Sequence, residues 1–363
     1  MSNTRILVIC PHPEDVAPGQ RLKYEQYFSY LRDNNIEIEV SSFMSKRFQD
    51  IVYKKGYYIE KIFWTLSGYL KRIYDLFRLP FYDSIYIFLW VTPFGLPIFE
   101  FLYTMANKKI IYDIDDLVFL APASKANKFI ARFKGKSKPP FLMRKASHVI
   151  TCTPYLTSYA EQFNSNITDI SSTINTDTYI PRVDYQKTGK LVLGWSGSHS
   201  TVQYLYLLKD VLLEINKTQP FKLVVIGSKD FEIKGLEVEC LNWNLETEVK
   251  DLQQIDIGLY PLPDEQWVMG KSGLKALQYM ALGIPTIATA IGANYRVIED
   301  KVSGYLVKTP SEWKEKILIL MSDADQRKRI GIKGRARVEE YYSIKANRDT
   351  YLTIIKHVVG KVS

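Results

Sequence analysis

Gly270–Val307 reads GKSGLKALQYMALGIPTIATAIGANYRVIEDKVSGYLV, and the fold follows from it. Gly270, Lys271, Ser272 and Gly273 make a small, flexible turn. Leu274, Leu277 and Ala281 then fall at i, i+3 and i+7, on one face of a helix. Gly283 and Pro285 stop that helix, a C-cap glycine followed by a breaker. Ile284 to Ala288 is a short apolar run of the kind buried in parallel sheets. Gly292 and Asn294 open another turn. A Gly/Ser turn leading into a helix offers unpaired backbone N–H groups and the positive end of the helix dipole, which suits phosphate. Lys271 adds a mobile cation there. An ordinary loop–helix–strand unit with a surface lysine is the plainer description of the same residues.

Outward from this stretch, strands and helices alternate. Arg5 to Cys10 is a strand, followed by a loop holding Pro18, Gly19, Gln20 and Arg21. Leu22, Tyr24, Tyr27, Phe28 and Leu31 make a helical face, and Ile36, Ile38 and Val40 alternate as a strand. Ser84–Trp90, Lys108–Ile114, Ser147–Cys152, Leu191–Trp195, Phe221–Ile226 and Asp256–Tyr260 are further strands. Residues 53–82 form one or two amphipathic helices, Tyr155–Phe163 a helix, and Ile344–Val359 a final one. The βα alternation predicts doubly wound parallel sheets. The polar run Val183–Gly189 reads as a linker between two domains.

The 363 residues suffice for two domains of ordinary size, and 46% apolar with 24% charged is a globular composition. No apolar run is long enough for a transmembrane helix. The opening MSNTRILVIC lacks the layout of a signal peptide. Cys10, Cys152 and Cys240 are far apart and odd in number, which fits reduced cytosolic thiols better than disulfides or a zinc site. The net charge of +9 favours anionic partners. Lys125, Lys128, Arg132, Lys134, Lys136, Lys138, Arg144 and Lys145 fall in one window without an acid. Residues 53–82 set lysines and arginines among many aromatic side chains. Together they point to an anionic membrane surface, with a solvated loop as the alternative. The basic residues match no nucleic-acid-binding motif.

Gln278-Tyr279-Met280-Ala281-Leu282-Gly283-Ile284-Pro285, Arg296-Val297-Ile298-Glu299-Asp300 and Gly304 resemble the donor-site core of family 4 glycosyltransferases. That resemblance implies the GT-B fold, α/β with two Rossmann-like doubly wound domains facing a central cleft. It divides the chain into an acceptor-side domain (1–182), a nucleotide-sugar domain (183–343) and a C-terminal helix crossing back (344–363). The family usually carries two glutamates eight positions apart, where this chain has Gly270 and Gln278. The pattern Gly270, Lys271, Lys275, Tyr279 is similar to a bacterial surface-polysaccharide branch, in which Lys271 replaces a missing phosphate ligand.

The resemblance implies a retaining glycosyltransferase that uses a nucleotide-diphosphate sugar as co-substrate and no cofactor or metal. Its acceptor would be a lipid-linked or growing surface glycan, at the cytoplasmic face of the plasma membrane. Lys271, Asp115 and Asp116 are the catalytic candidates. Gly19, Gly197, Ser198, Lys271, Ser272, Gly273, Lys275, Gln278 and Glu299 are those for the donor, with Gln278 on the ribose. Lys134, Lys136 and Lys138 are those for membrane or acceptor. The cluster Asp113-Ile114-Asp115-Asp116 also admits a divalent-metal site or a purely structural role. A nucleotide-sugar epimerase of the same fold and a basic nucleic-acid-binding protein are the rival readings.

Overall fold

A computed structural model describes residues 3–107, 109–117, 135–181, 185, 189–198 and 200–360. Lys125, Lys128, Arg132, Lys134 and His199 lie outside the described residues, as does most of the expected linker. The chain forms two compact units, one of residues 1–172 and 347–363, the other of residues 173–346.

Unit 1 holds a six-stranded sheet, β1 (Thr4–Cys10), β2 (Ile36–Ser42), β3 (Ser84–Phe88), β4 (Ile110–Asp113), β5 (His148–Thr151) and β6 (Ile167–Asp169). Its order is β2-β1-β3-β4-β5-β6, with every pairing parallel. Every residue of β3 and β4 is buried, as central strands covered on both faces must be. Edge strand β6 is only half-buried. Around the sheet run helices α1 (Pro18–Arg21), α2 (Phe28–Asp33), α3 (Lys46–Val52), α4 (Tyr58–Arg78), α5 (Ile98–Ala106), α6 (Lys138–Lys145) and α7 (Pro154–Ala160).

Unit 2 repeats the plan with β7 (Val192–Ser196), β8 (Lys222–Ile226), β9 (Glu237–Leu241), β10 (Ile257–Tyr260), β11 (Thr286–Thr289) and β12 (Tyr305–Val307). Its order is β12-β11-β10-β7-β8-β9, again parallel throughout. Helices α8 (Lys209–Thr218), α9 (Glu248–Leu252), α10 (Leu274–Ala281), α11 (Asn294–Val297), α12 (Pro310–Ser322) and α13 (Ala324–Arg337) flank it. Thr309 and Glu312 form a capping box at the start of α12. Leu193, Trp195, Leu223, Val225, Leu259 and Ile287 fill one side of the sheet, and α10 lends Ala276, Leu277, Met280 and Ala281 to the other. A last helix, α14 (Ile344–Val359), starts in unit 2 and from Asn347 belongs to unit 1, where Tyr351 stacks on Tyr27 with ring centres 4.4 Å apart.

Strand order fixes where ligands go. In unit 2 the connections reverse direction between β7 and β10, and in unit 1 between β1 and β3. Open parallel sheets bind ligands beyond the carboxyl ends of strands at such switch points. The loops after β7, β10 and β1 are therefore the places to look.

Candidate active site

The loop after β7 is a close-packed glycine turn. The Gly197 N–H donates to the Ile226 carbonyl at 3.0 Å. Gly227 sits at φ +94°, where a Cβ would lie 1.9 Å from the Gly197 carbonyl oxygen, so only glycine fits. A Cβ on Gly197 would come within 2.5 Å of the Trp195 ring and 2.6 Å of Lys275 Cε. Lys275, in the first turn of α10, therefore lies across this turn. Its ammonium stands 5.4 Å from the centre of the Trp195 ring and 5.3 Å from that of Tyr260, within cation–π range of both.

Lys271 reaches the same end of α10 from the loop after β10, with its ammonium 5.3 Å from the centre of the Trp267 ring. Tyr204 packs against Trp267, ring centres 5.6 Å apart. Between the lysines, Ser272 is buried and Gly273 takes the left-handed conformation, φ +80°, that opens the helix. The N–H groups of the first turn have no acceptors within the helix, and the dipole adds partial positive charge. Burial, with the like charge of Lys271 behind it, pushes the Lys275 ammonium down to about 7. The end of α10 is thus an electropositive site whose second lysine is held at the edge of ionisation.

Two expectations change on this geometry. The Gly197 N–H is not available to phosphate, since Ile226 holds it, and the Ser198 N–H donates to Thr201 Oγ1 at 3.2 Å. The turn after β7 shapes the site, and the cations come from Lys271 and Lys275. Gln278 is buried in a polar cluster. Its Nε2 donates to Tyr179 Oη (3.0 Å) and Glu248 Oε1 (3.2 Å), the Tyr179 hydroxyl to Glu248 Oε2 (2.7 Å), and Trp243 Nε1 to Glu248 Oε1 (2.8 Å). Tyr179 and Glu248 were not found from sequence, because no local spacing links positions 179, 248 and 278. Glu299 is exposed, 3.7 Å from Arg337, and its N–H donates to Ser303 Oγ at 2.9 Å.

In unit 1 the loop after β1 is held by Gln20, which accepts from the His12 N–H (2.9 Å) and donates to the His12 carbonyl (3.0 Å) and Glu25 Oε1 (2.9 Å). Burial pushes the Glu25 carboxyl up to about 7. A Cβ on Gly19 would lie 2.5 Å from Asp115 Oδ2, so the structure brings these two candidates together. Asp116 Oδ1 accepts from the Leu117 N–H at 2.8 Å. Asp113, in contrast, turns inward. It is fully buried, 3.0 Å from Lys23 Nζ, and accepts from the Tyr86 hydroxyl. Lys23 also donates to the carbonyls of Thr151 (3.2 Å) and Ile170 (3.1 Å). Among the described residues, no group of three or more His, Cys, Asp or Glu side chains is placed to hold a metal ion.

Lys138 leaves the basic surface assigned to it. It is buried, donates to the Thr92 carbonyl at 2.8 Å and pairs with Glu100 at 3.2 Å, because an interior carboxylate needs a counter-charge. Lys136 is exposed.

Residues 190–323 match the family model described as Glycosyl transferases group 1. A trehalose synthase from Pyrococcus horikoshii is 32% identical over 88 residues, which are 24% of this chain and 21% of that protein. The chain spans less than half the length of the curated relatives it matches. Among solved structures, sucrose-phosphate synthase from Thermosynechococcus elongatus is similar with a TM-score of 0.73 at 15% identity, covering 99% of this chain and 100% of that one. The Anabaena protein HepE, in complex with UDP and glucose, has a TM-score of 0.67 at 15% identity, covering 98% and 100%. These likenesses show the GT-B fold.

Proposed function

We propose, from the match of residues 190–323 to group 1 glycosyltransferases, that this protein moves a sugar from a nucleotide-diphosphate donor to an acceptor hydroxyl. The observation that carries this reading is the pair Lys271 and Lys275 at the start of α10, beside the Gly197 turn at the sheet's switch point. Two ammonium groups at a helix N-terminus repel one another until an anion joins them. As the bond from the sugar's anomeric carbon to the diphosphate breaks, charge grows on the departing oxygen, and both lysines and the first-turn N–H groups stabilise it. The transition state is oxocarbenium-like. The departing phosphate takes the acceptor's proton, and the new bond forms on the face it leaves, with retention. No strong protein base is needed, consistent with Gly270 and Gln278 in place of carboxylates. Lys271 and Lys275, the latter fully charged once the diphosphate is bound, serve where a divalent metal would otherwise neutralise it. Asp115, resting on Gly19, is assigned to the acceptor side. The acceptor is a lipid-linked or growing surface glycan at an anionic membrane surface; no helix among the described residues is long and apolar enough to cross that membrane.

A thermal-shift screen of UDP-, GDP-, ADP- and dTDP-sugars in EDTA tests this. The true donor at a hundred times its dissociation constant adds about 2.7 kcal/mol of stability. Epimerised sugar from donor alone, an inverted product, or activity that only manganese restores would each overturn the corresponding part.

Lys275 gives the donor reading a pH signature. In the free protein its ammonium titrates at about 7, and a bound diphosphate favours the charged form, so the value rises in the complex. Binding therefore takes up a proton between the two values. Affinity is full below about 7 and falls as pH rises, by up to about tenfold per unit. Calorimetry at pH 8 in buffers of different ionisation enthalpy should show uptake approaching one proton. Lys275→Arg, always charged, should flatten the profile. No uptake in the wild type would separate Lys275 from the diphosphate.

A further inference from the structure

Helix α4 is built inside out. The positions it turns toward the unit-1 core are Gly68, Arg72 and Asp75. The Arg72 guanidinium, fully buried, donates to the carbonyls of Val91 (2.8 Å) and Cys10 (2.9 Å), to Ser41 Oγ (2.9 Å) and to Asp75 Oδ2 (3.0 Å). A Cβ on Gly68 would meet the Phe43 ring at 2.7 Å, so the helix lies close against the unit there. Its anchored face thus centres on a buried polar network, with Trp64 and Tyr69 packed beside it against the Phe43 cluster.

The opposite face is apolar and in water. Ile59, Ile62, Leu66, Leu70, Ile73 and Phe77 share one helical stripe and are 43–86% exposed. Helix α5 runs beside it: Phe99 meets Tyr69 with ring centres 5.5 Å apart, and the Tyr103 hydroxyl donates to the Arg72 carbonyl at 2.9 Å. That helix adds Ile98, Phe101, Leu102 and Met105, all 40–65% exposed and again at helical spacing. A contiguous apolar surface across two neighbouring helices marks an interaction site rather than ordinary surface scatter.

Charge selects the occupant. Every carboxylate on α4 and α5 is matched: Glu60 by Arg47 at 2.7 Å, Asp75 by Arg72 at 3.0 Å, Glu100 by Lys138 at 3.2 Å. Lys54 and Lys55 are exposed just ahead of α4, and Lys71, exposed on the helix, donates to the Ser42 carbonyl at 2.9 Å. A second copy meeting this face would bring to the lysines beside it no carboxylate of α4 or α5 that is not already matched. An anionic bilayer offers the opposite charge and an apolar layer beneath it, the two things an interfacial helix with basic and aromatic side chains takes up.

We propose that α4 and α5 form a docking face for an anionic lipid bilayer, with the stripe from Ile59 to Phe77 entering the boundary between headgroups and acyl chains. This deepens the membrane reading above and rests on it for its purpose. Of the two segments expected at the membrane, the basic run around Lys134–Lys138 and residues 53–82, it assigns the contact to the second, on the apolar face of its helix.

The test is co-sedimentation of the full chain with vesicles, without nucleotide sugar. Vesicles of phosphatidylglycerol mixed with phosphatidylcholine should bind the protein at least about tenfold more tightly than phosphatidylcholine alone, with affinity falling as salt rises. Ile62→Glu/Leu66→Glu/Leu70→Glu should abolish binding, and the milder Leu66→Gln should weaken it severalfold. These side chains already face water, so the helical circular dichroism should be unchanged. Lys271→Ala should leave vesicle binding intact, so a failed donor assignment and a failed docking face give different results. Equal binding by wild type and triple variant overturns the proposal. So does a dimer, formed without vesicles, that the triple variant dissolves.

Discussion

Lys271→Ala should lower turnover about 10²- to 10³-fold, the scale for losing one preorganised charge donor at a developing anion. Lys271 stands in the loop that enters α10, against the Trp267 ring, and Lys275 in the helix's first turn. The diphosphate gains charge as it leaves, so the loss should fall on kcat more than on KM; a pure rise in KM would mean that Lys271 binds ground and transition states alike. The variant carries a second readout. Lys271 is one of the two causes holding the Lys275 ammonium down at about 7. Without it, Lys275 should titrate higher, and the alkaline fall in donor affinity should move to higher pH. A bystander lysine would change neither quantity. Near wild-type turnover with an unmoved pH profile would remove Lys271 from the mechanism.

Much of this was legible because it is local. Leu274, Leu277 and Ala281 announce α10, Gly283 and Pro285 its end, and the apolar run after it lies in β11. Ile344–Val359 appears as one helix with the bounds its pattern gives. Lys271 and Lys275 are close in sequence at the mouth of α10, Lys271 in extended backbone before it and Lys275 in its first turn, with left-handed Gly273 between them. What failed to show was set by distant partners. Residues 53–82 read as amphipathic, and α4 is, but periodicity does not say which face turns inward. That was decided by Ser41 and the carbonyls of Cys10 and Val91, which give Arg72 a buried home and push Ile62 and Leu66 outward. Lys138 sat within a run of cations and looked like surface until Glu100 met it. The partners of Gln278 did not show either, since Glu248 lies thirty residues upstream. Short strands β6 and β9 carry too little pattern to stand out, being half-exposed edges.

Asp113→Ala should cost about 3–5 kcal/mol of unit-1 stability, the price of leaving a buried partner charge uncompensated. Lys23 has no route to water at this site: its ammonium is fully buried, and its other acceptors are the neutral carbonyls of Thr151 and Ile170. Asp113→Asn should fare little better, because it keeps an acceptor for the Tyr86 hydroxyl but removes the negative charge. Removing both charges is a different matter. Lys23→Met/Asp113→Leu replaces the pair with apolar groups, so it should recover much of the loss. Urea unfolding measures the three variants, and donor-induced stabilisation of unit 2 reports separately on the Lys271 site. The comparison also sorts the acidic cluster. Asp113 pairs inward with Lys23, while the Asp115 carboxylate lies against Gly19 in the loop after β1. Asp115→Asn should therefore lower turnover with little change in unfolding, and Asp113→Ala should do the reverse. If Asp113→Ala left stability untouched and abolished turnover, the buried ion pair would have to be reassigned to the chemistry.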